Sequence, residues 1–459
     1  MTCFSLQQKG WFDSFRATFF LCAVALAVAG TAAKAQDSLW MRPVEGELKD
    51  STYYVDRILV SGNDYTRDFV VLREMTLKPG SMITKELIEY DKNRIYSLGL
   101  FNKVDMQAIP SADSNATIVV NVTERWYIYP YPIVGIWDRD WSKVYYGLGL
   151  LHMNFRGRNE KLIASFALGY NPWIQLSYRN PFLSDDGSNY LEARVGTNVI
   201  QNKSLLAMAP SGNFDERHYN ISLTLGERAG ITTTGWLSAG YEVVRVSQYN
   251  QFTTLSPSGE DKYPVFSGGF TYDSRDLAEY PYSGSFIRGT ITKFGIPSTL
   301  VNIIRYAADV REYVPLRSRL GLAMRVMTDV AAAGKTPSYN RIYFGYNERI
   351  RGHFNDVREG ESILGGTVEV HYTLLSARYF KTDLLPPAFG VWRFGLVAEV
   401  FGDAGTVWFR GNPVVANLLE KGYGAGLDVL LPYSTVVHLD YALNEARKGE
   451  FIIDLGSSF

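Results

Sequence analysis

Tyr219-Asn220-Ile221-Ser222-Leu223-Thr224-Leu225-Gly226 alternates large apolar with small or polar side chains. Successive side chains of a strand point to opposite faces, so this stretch has one apolar and one polar face. The same period recurs on both sides of it. Leu162, Ala164, Phe166, Leu168 and Tyr170 alternate with Ile163, Ser165, Ala167 and Gly169. Trp392, Phe394, Leu396, Ala398 and Val400 alternate with Arg393, Gly395, Val397, Glu399 and Phe401. At the C-terminus Phe451, Ile453, Leu455 and Phe459 share one face, with Asp454 and Gly456 on the other. From Trp126 onward such segments of about ten residues are separated by Gly, Asn, Asp and Pro, which is the pattern of a transmembrane β-barrel. A soluble β-sandwich also alternates. An aromatic content of 14 %, with 30 Tyr, and the length of the region favour the barrel. Residues 126–459 are expected to form an antiparallel barrel of about 16 strands, near the middle of the known range. After the N-terminal leader no run of about 18 apolar residues occurs, so a helical crossing is not expected. Strands cross lipid only as a closed barrel, because closure satisfies every backbone group.

The leader carries Lys9 and Arg16, an apolar run from Ala17 to Gly30 and a small-x-small site at Ala33-Lys34-Ala35. It reads as a signal peptide over residues 1–35. Both cysteines, Cys3 and Cys22, fall inside it, so no disulfide or thiolate metal site is expected in the mature part. The net charge of −1 gives no basic field for nucleic acid. Residues 36–53 form a short polar linker.

Residues 54–125 read as a small α+β domain of order β-α-α-β-β. Residues 55–60 are a strand, followed by the turn Ser61-Gly62-Asn63. Thr66 is expected to cap a helix through Phe69, Val70 and Leu72. Thr84 opens a second helix with Leu87, Ile88, Ile95 and Leu98 on one face, and Gly99 ends it. Residues 101–109 and 117–124 are two more strands.

Enzyme signatures are absent: the chain has no nucleophile elbow, P-loop or HExxH motif. Its histidines (His152, His218, His353, His371, His438) show no metal-ligand spacing. No catalysis, cofactor or metal is expected. The informative charges point inward. Asp403 keeps the phase of Arg393 and Glu399. Glu369 keeps the phase of His371, opposite Val368, Val370 and Tyr372. Either these carboxylates face water in an open pore, or they hold a cation delivered by a loop. Ile350-Arg351-Gly352-His353 supplies such a cation: Gly352 permits a tight turn and Arg351 can bind a carboxylate bidentately.

Tyr343-Phe344-Gly345 with Ile350-Arg351-Gly352-His353 resembles the loop-six motif of the bacterial surface-antigen, or BamA/TamA-like, POTRA–barrel superfamily. Phe401-Gly402-Asp403-Ala404-Gly405-Thr406-Val407-Trp408 resembles its barrel-wall motif. Tyr272-Asp273-Ser274-Arg275-Asp276 with Pro281 and Gly284 resembles another barrel segment, and Phe451 to Phe459 the C-terminal β-signal. Residues 54–125 resemble one POTRA domain. The family has an aromatic where His353 stands, and often an Arg where His371 stands.

The resemblance implies a 16-stranded transmembrane barrel whose sixth loop folds into the lumen and locks Arg351 and Gly352 against Asp403 and Glu369. It implies an assembly factor of the bacterial outer membrane, with its POTRA domain in the periplasm. The POTRA edge at residues 101–109 would receive unfolded clients by strand addition. The barrel would open between residues 127–137 and the last strand, where Gly456 weakens the seam beside Phe451, Ile453, Leu455 and Phe459. The implied partners are outer-membrane or secreted clients, periplasmic chaperones or accessory lipoproteins, and the lipid bilayer. The alternative is a two-partner-type secretion pore for one dedicated passenger. A single POTRA domain points to a specialised or auxiliary member.

Overall fold

The computed structural model describes residues 53–459, apart from 112–113, 138–140, 185–187, 347, 355, 382–390, 413–418, 433–434 and 457–459. The expected signal peptide and nearly all of the expected linker lie outside the described residues.

The N-terminal unit runs β1 (Tyr54–Ser61), α1 (Asp68–Leu72), α2 (Lys85–Ser97), β2 (Phe101–Pro110) and β3 (Asn115–Glu124). β3 is central, parallel to β1 and antiparallel to β2. β2 is therefore an edge strand. Thr84 caps α2 by accepting from the Leu87 amide, and Gly99, at φ +74°, follows its end. Thr66 does not cap α1, contrary to the sequence reading. Arg67 holds that position without a side-chain bond, while Thr66 is drawn to the Glu124 carboxylate at the end of β3. An ionised acceptor outcompetes a capping bond because charge-assisted hydrogen bonds are about twice as strong. Val70, Val71, Met75, Leu77, Ile95 and Phe101 lie in the core of this unit.

The second unit is one antiparallel meander. Its strands are β4 (Ile128–Ile136), β5 (Val144–Phe155), β6 (Glu160–Gly169), β7 (Trp173–Asn180), β8 (Asn189–Gln201), β9 (Asp215–Ala229), β10 (Thr233–Val246), β11 (Glu260–Asp273), β12 (Gly284–Phe294), β13 (Ile303–Arg317) and β14 (Leu320–Ala333). After a long loop it continues through β17 (Ser362–Lys381), β18 (Val391–Trp408), β19 (Glu420–Leu431), β20 (Thr435–Asn444) and β21 (Gly449–Gly456). The long loop carries its own small hairpin, β15 (Ile342–Phe344) with β16 (Arg358–Gly360). The resulting 16-stranded sheet runs in sequence order from β4 to β21. Among the described residues no ladder joins β4 to β21.

Alternation decides which face is which. Ile221, Leu223 and Leu225 on β9 are exposed, as are Leu237 on β10, Phe266 and Phe270 on β11, and Ile291 on β12. The opposite face is polar and paired: Thr224 donates to Ser238 at 2.9 Å, and Arg305 meets Asp329 at 2.9 Å. An apolar belt this extensive on the outside, with charges inside, is the inverse of a soluble protein and fits lipid. No helix among the described residues is long and apolar enough to cross a membrane.

The small domain is seated against the barrel's strand connections. Glu74 is buried between Arg94 of α2, at 3.0 Å, and Arg228 of β9, whose Nη2 lies 2.7 Å away. Arg73 donates to the Pro181 carbonyl at 2.9 Å, and Phe182 and Leu277 join the domain's apolar core. Burial alone would raise the Glu74 pKa. Arg228 and Arg94 outweigh it and hold the carboxyl below its ordinary range.

Candidate functional site

The loop from β14 to β17 enters the barrel and lies against its inner wall. Phe344 and Ile350 are buried with Met327 and Ile363 of the wall. They fit because the wall is notched by glycine. A Cβ at Gly405 would lie 2.5 Å from the Phe344 ring, and one at Gly422 would lie 1.5 Å from the Arg351 carbonyl oxygen. Gly352, at φ +97°, turns the loop where its amide donates to Glu450 of β21 at 2.8 Å.

Arg351 thereby reaches a row of carboxylates on β17 and β18. Its Nε donates to Asp403 Oδ2 at 2.8 Å and its Nη2 to Asp403 Oδ1 at 2.9 Å, a bidentate pair. Nη2 also donates to Glu369 at 2.5 Å, and Nη1 to Glu399 at 3.0 Å. The guanidinium carbon sits 3.5 Å from the centre of the Phe401 ring. The register explains the convergence: Thr367 faces Asp403 and His371 faces Glu399, so the inward carboxylates of both strands lie side by side.

The cluster extends beyond these residues. His371 bonds Glu369 at 2.9 Å and lies 3.5 Å from Glu399. Asp428 of β19 accepts from Tyr280 at 2.7 Å and bonds His438 at 2.6 Å. Tyr280 comes from the β11–β12 connection, at the opposite end of the barrel from the entering loop. The wall charges are thus contacted from both ends of the lumen. Asp440 of β20 lies 3.7 Å from Arg351. At the loop tip His353 bonds Asp356 at 2.9 Å and Glu445 at 2.7 Å. Partial burial alone would lower its pKa, but those two carboxylates outweigh it and hold the imidazole above its ordinary value.

Among the described residues two groups have the ligand atoms and spacing to hold a metal ion: Glu369, His371 and Glu399, and Glu399, Asp428 and Asp440. Neither is visible as a local spacing in the sequence, because each spans different strands.

The residues singled out from the sequence fall in two places. Arg351, Gly352, Asp403 and Glu369 are together in the lumen. Phe451 and Ile453 are on the last strand, exposed on the outer face, with Leu455 and Gly456 paired to Val437 and Val436. Phe459 lies outside the described residues. Sequence reasoning did not reach Gly422, Asp428, Asp440, Tyr280 or Glu450. For Asp428 and Asp440 a signal existed: each has the parity opposite an outward Tyr on its strand, Tyr423 and Tyr441.

A 16-stranded barrel sheet with a loop bonded inside it, preceded by a small β-α-α-β-β domain, defines the POTRA–barrel class of outer-membrane protein. Residues 154–459 match the Omp85 superfamily domain, and residues 53–125 match the surface antigen variable number repeat, or POTRA. The chain belongs to the Omp85 superfamily. It is 25 % identical over 367 residues to the outer membrane protein assembly factor BamA of Nitratidesulfovibrio vulgaris, an alignment covering 73 % of this chain and 43 % of that one. It is 22 % identical over 404 residues to BamA of Neisseria meningitidis, covering 81 % and 50 %. The chain thus spans about half the length of these curated relatives or less. The fold is similar to that of Haemophilus ducreyi BamA lacking POTRA domains 1–3, with a TM-score of 0.51, 17 % identity and coverage of 88 % and 83 %. It is also similar to CdiB from Escherichia coli, with a TM-score of 0.54, 11 % identity and coverage of 88 % and 75 %.

Proposed function

We propose that this chain is an outer-membrane factor that inserts other barrel proteins, with its POTRA domain in the periplasm. The observation that carries the reading is the pairing of an exposed-edge POTRA sheet with a barrel sheet whose first and last strands share no ladder among the described residues. Unpaired strand edges are templates for a further strand. A client segment adds to β2 by backbone hydrogen bonding, which is tolerant of sequence. It then pairs at the edges of β4 and β21. Burial of client side chains in lipid and closure of its own hydrogen bonds supply the driving force. The Arg351 cluster has a conformational role. It holds the sixth loop against the wall from β17 to β19, and the loop in turn braces β21 through Glu450, so that the β4 side of the seam is the one that moves. The chain performs no catalysis in this reading.

A second reading, a secretion pore for one dedicated passenger, draws support from the fold shared with CdiB and from a lumen cavity of about 590 Å³ lined by Arg194, Arg288, Arg325, Asp309 and Glu192. Depleting the protein and quantifying the outer-membrane proteome separates the two. Assembly predicts a fall in several unrelated barrel proteins. Loss of one exported protein, with other barrels intact, supports the secretion reading and removes the first.

A further inference from the structure

Inside the barrel, five carboxylates (Glu369, Glu399, Asp403, Asp428 and Asp440) meet one guanidinium, Arg351, and two imidazoles, His371 and His438. Even with both imidazoles protonated, five negative charges against three positive leave two uncompensated. Buried charge of one sign is costly unless a counter-ion or a proton neutralises it.

The surplus is localised. Glu369 and Asp403 are bonded by Arg351, and His371 is occupied between Glu369 and Glu399. Both oxygens of Asp428 have partners, Tyr280 and His438. Asp440 is different. It is only 3 % exposed, and its Oδ1 has no hydrogen-bond partner. That oxygen occupies the space that a side chain at position 426 would take. Gly426 lies between Glu399 and Asp440, paired in register with one across β18 and with the other across β20. A Cβ on Gly426 would lie 2.0 Å from Asp440 Oδ1 and 3.1 Å from Glu399 Oε1. The missing side chain is what lets two carboxylates face each other across the strand that separates them. Asp428, two residues along the same strand, completes the group. One oxygen from each of Glu399, Asp428 and Asp440 lies within 4.8 Å of the others.

We infer that Glu399, Asp428 and Asp440 form a binding site for a hard divalent cation of the Ca²⁺ or Mn²⁺ kind, bridging β18, β19 and β20 beside Arg351. Three carboxylates with no sulfur ligand select oxygen-preferring ions. A carboxylate oxygen that accepts one hydrogen bond keeps a lone pair for a metal, so the bonds to Arg351, Tyr280 and His438 do not block ligation. Water fills the remaining coordination positions, as is usual for such ions. The charge of the ion matches the surplus. The other group, Glu369, His371 and Glu399, is already satisfied internally through His371. The inference does not depend on what the barrel inserts or transports.

The test uses the full chain, folded in detergent and stripped with a chelator, with Mn²⁺ as the probe followed through the loss of its free-ion EPR signal. The expected result is one Mn²⁺ bound per chain, displaced by Ca²⁺. Asp440→Asn, and separately Gly426→Ala, whose methyl displaces the Asp440 carboxylate, weaken binding by about tenfold or more. Heat-modifiable gel mobility confirms that each variant is folded. Absence of stoichiometric Mn²⁺ binding by the wild-type chain overturns the inference whatever the variants do. So does wild-type affinity in folded Asp440→Asn, which would place the bound ion away from Asp440.

Discussion

Arg351 makes four side-chain hydrogen bonds to three carboxylates on β17 and β18, so its removal leaves buried negative charge with little compensation. Breaking a buried ion pair from one side costs about 3–5 kcal/mol. Arg351→Ala is expected to lower the level of folded barrel in the outer membrane without changing export across the inner membrane, read by heat-modifiability and fractionation. Arg351→Lys is expected not to restore it, because an ammonium cannot hold Asp403 bidentately while reaching Glu369 and Glu399. Wild-type levels in the alanine variant would mean that Arg351 does not lock the loop. Glu74 gives a second residue-scale prediction. Its carboxyl is held below its ordinary pKa by Arg228 and Arg94, so its contribution is present above the unfolded-state value and is lost as pH falls through the lowered native value. Hydrogen exchange in α1 and around Arg228 is expected to rise together on acidification below about pH 4. Glu74→Gln should show the faster exchange already at neutral pH.

At the scale of elements, the sixth loop and the wall are matched by absence of side chains as much as by charge. Gly422→Ala places a Cβ 1.5 Å from the Arg351 carbonyl, so the loop must lift even though every charge remains. Cysteine accessibility at the loop tip is expected to rise in this variant to the level seen with Arg351→Ala; an unchanged tip would mean that the wall does not register the loop. His353 has a raised pKa, so its bonds to Glu445 and Asp356 stabilise the tip below the unfolded imidazole value near 6.5 and are lost as pH rises through the higher native value. Tip accessibility should increase across that alkaline window, and His353→Gln should flatten the profile. Alternation along β17 and β18 was enough to put Glu369, Glu399 and Asp403 on one face, because strand parity is local. The same parity holds for Asp428 and Asp440, yet nothing local says that they meet Glu399. That depends on the register of three strands, which only the assembled sheet fixes. Tyr280 was out of reach for a related reason: turn chemistry at Asp276 and Gly284 marks a reversal but not the direction in which the turn folds. Thr66 had the local signature of a cap and lost it to a carboxylate 58 residues away.

At the scale of the whole molecule the barrel has a braced wall, β17 to β21, and an unpaired seam beside β4. The Arg351 cluster and the loop tie β17 to β20 and reach β21 through Glu450, whereas β4 and β21 share no ladder among the described residues. β2 is one of the two edges of the POTRA sheet, and the Glu74 contact seats the domain beneath the same barrel. In the proposed mechanism a client is assembled by opening the seam, with no change asked of the outer wall elsewhere. The most direct measurement is insertion of a denatured client barrel into liposomes holding the purified full chain, scored by heat-modifiable mobility. It would compare wild type with a panel of cysteine pairs along β4 and β21, Val134→Cys with Ile453→Cys among them. Client insertion is expected to be faster than in empty liposomes, to be lost when a seam disulfide forms and to return on reduction. Insertion that proceeds equally well with the seam cross-linked would contradict opening at the seam.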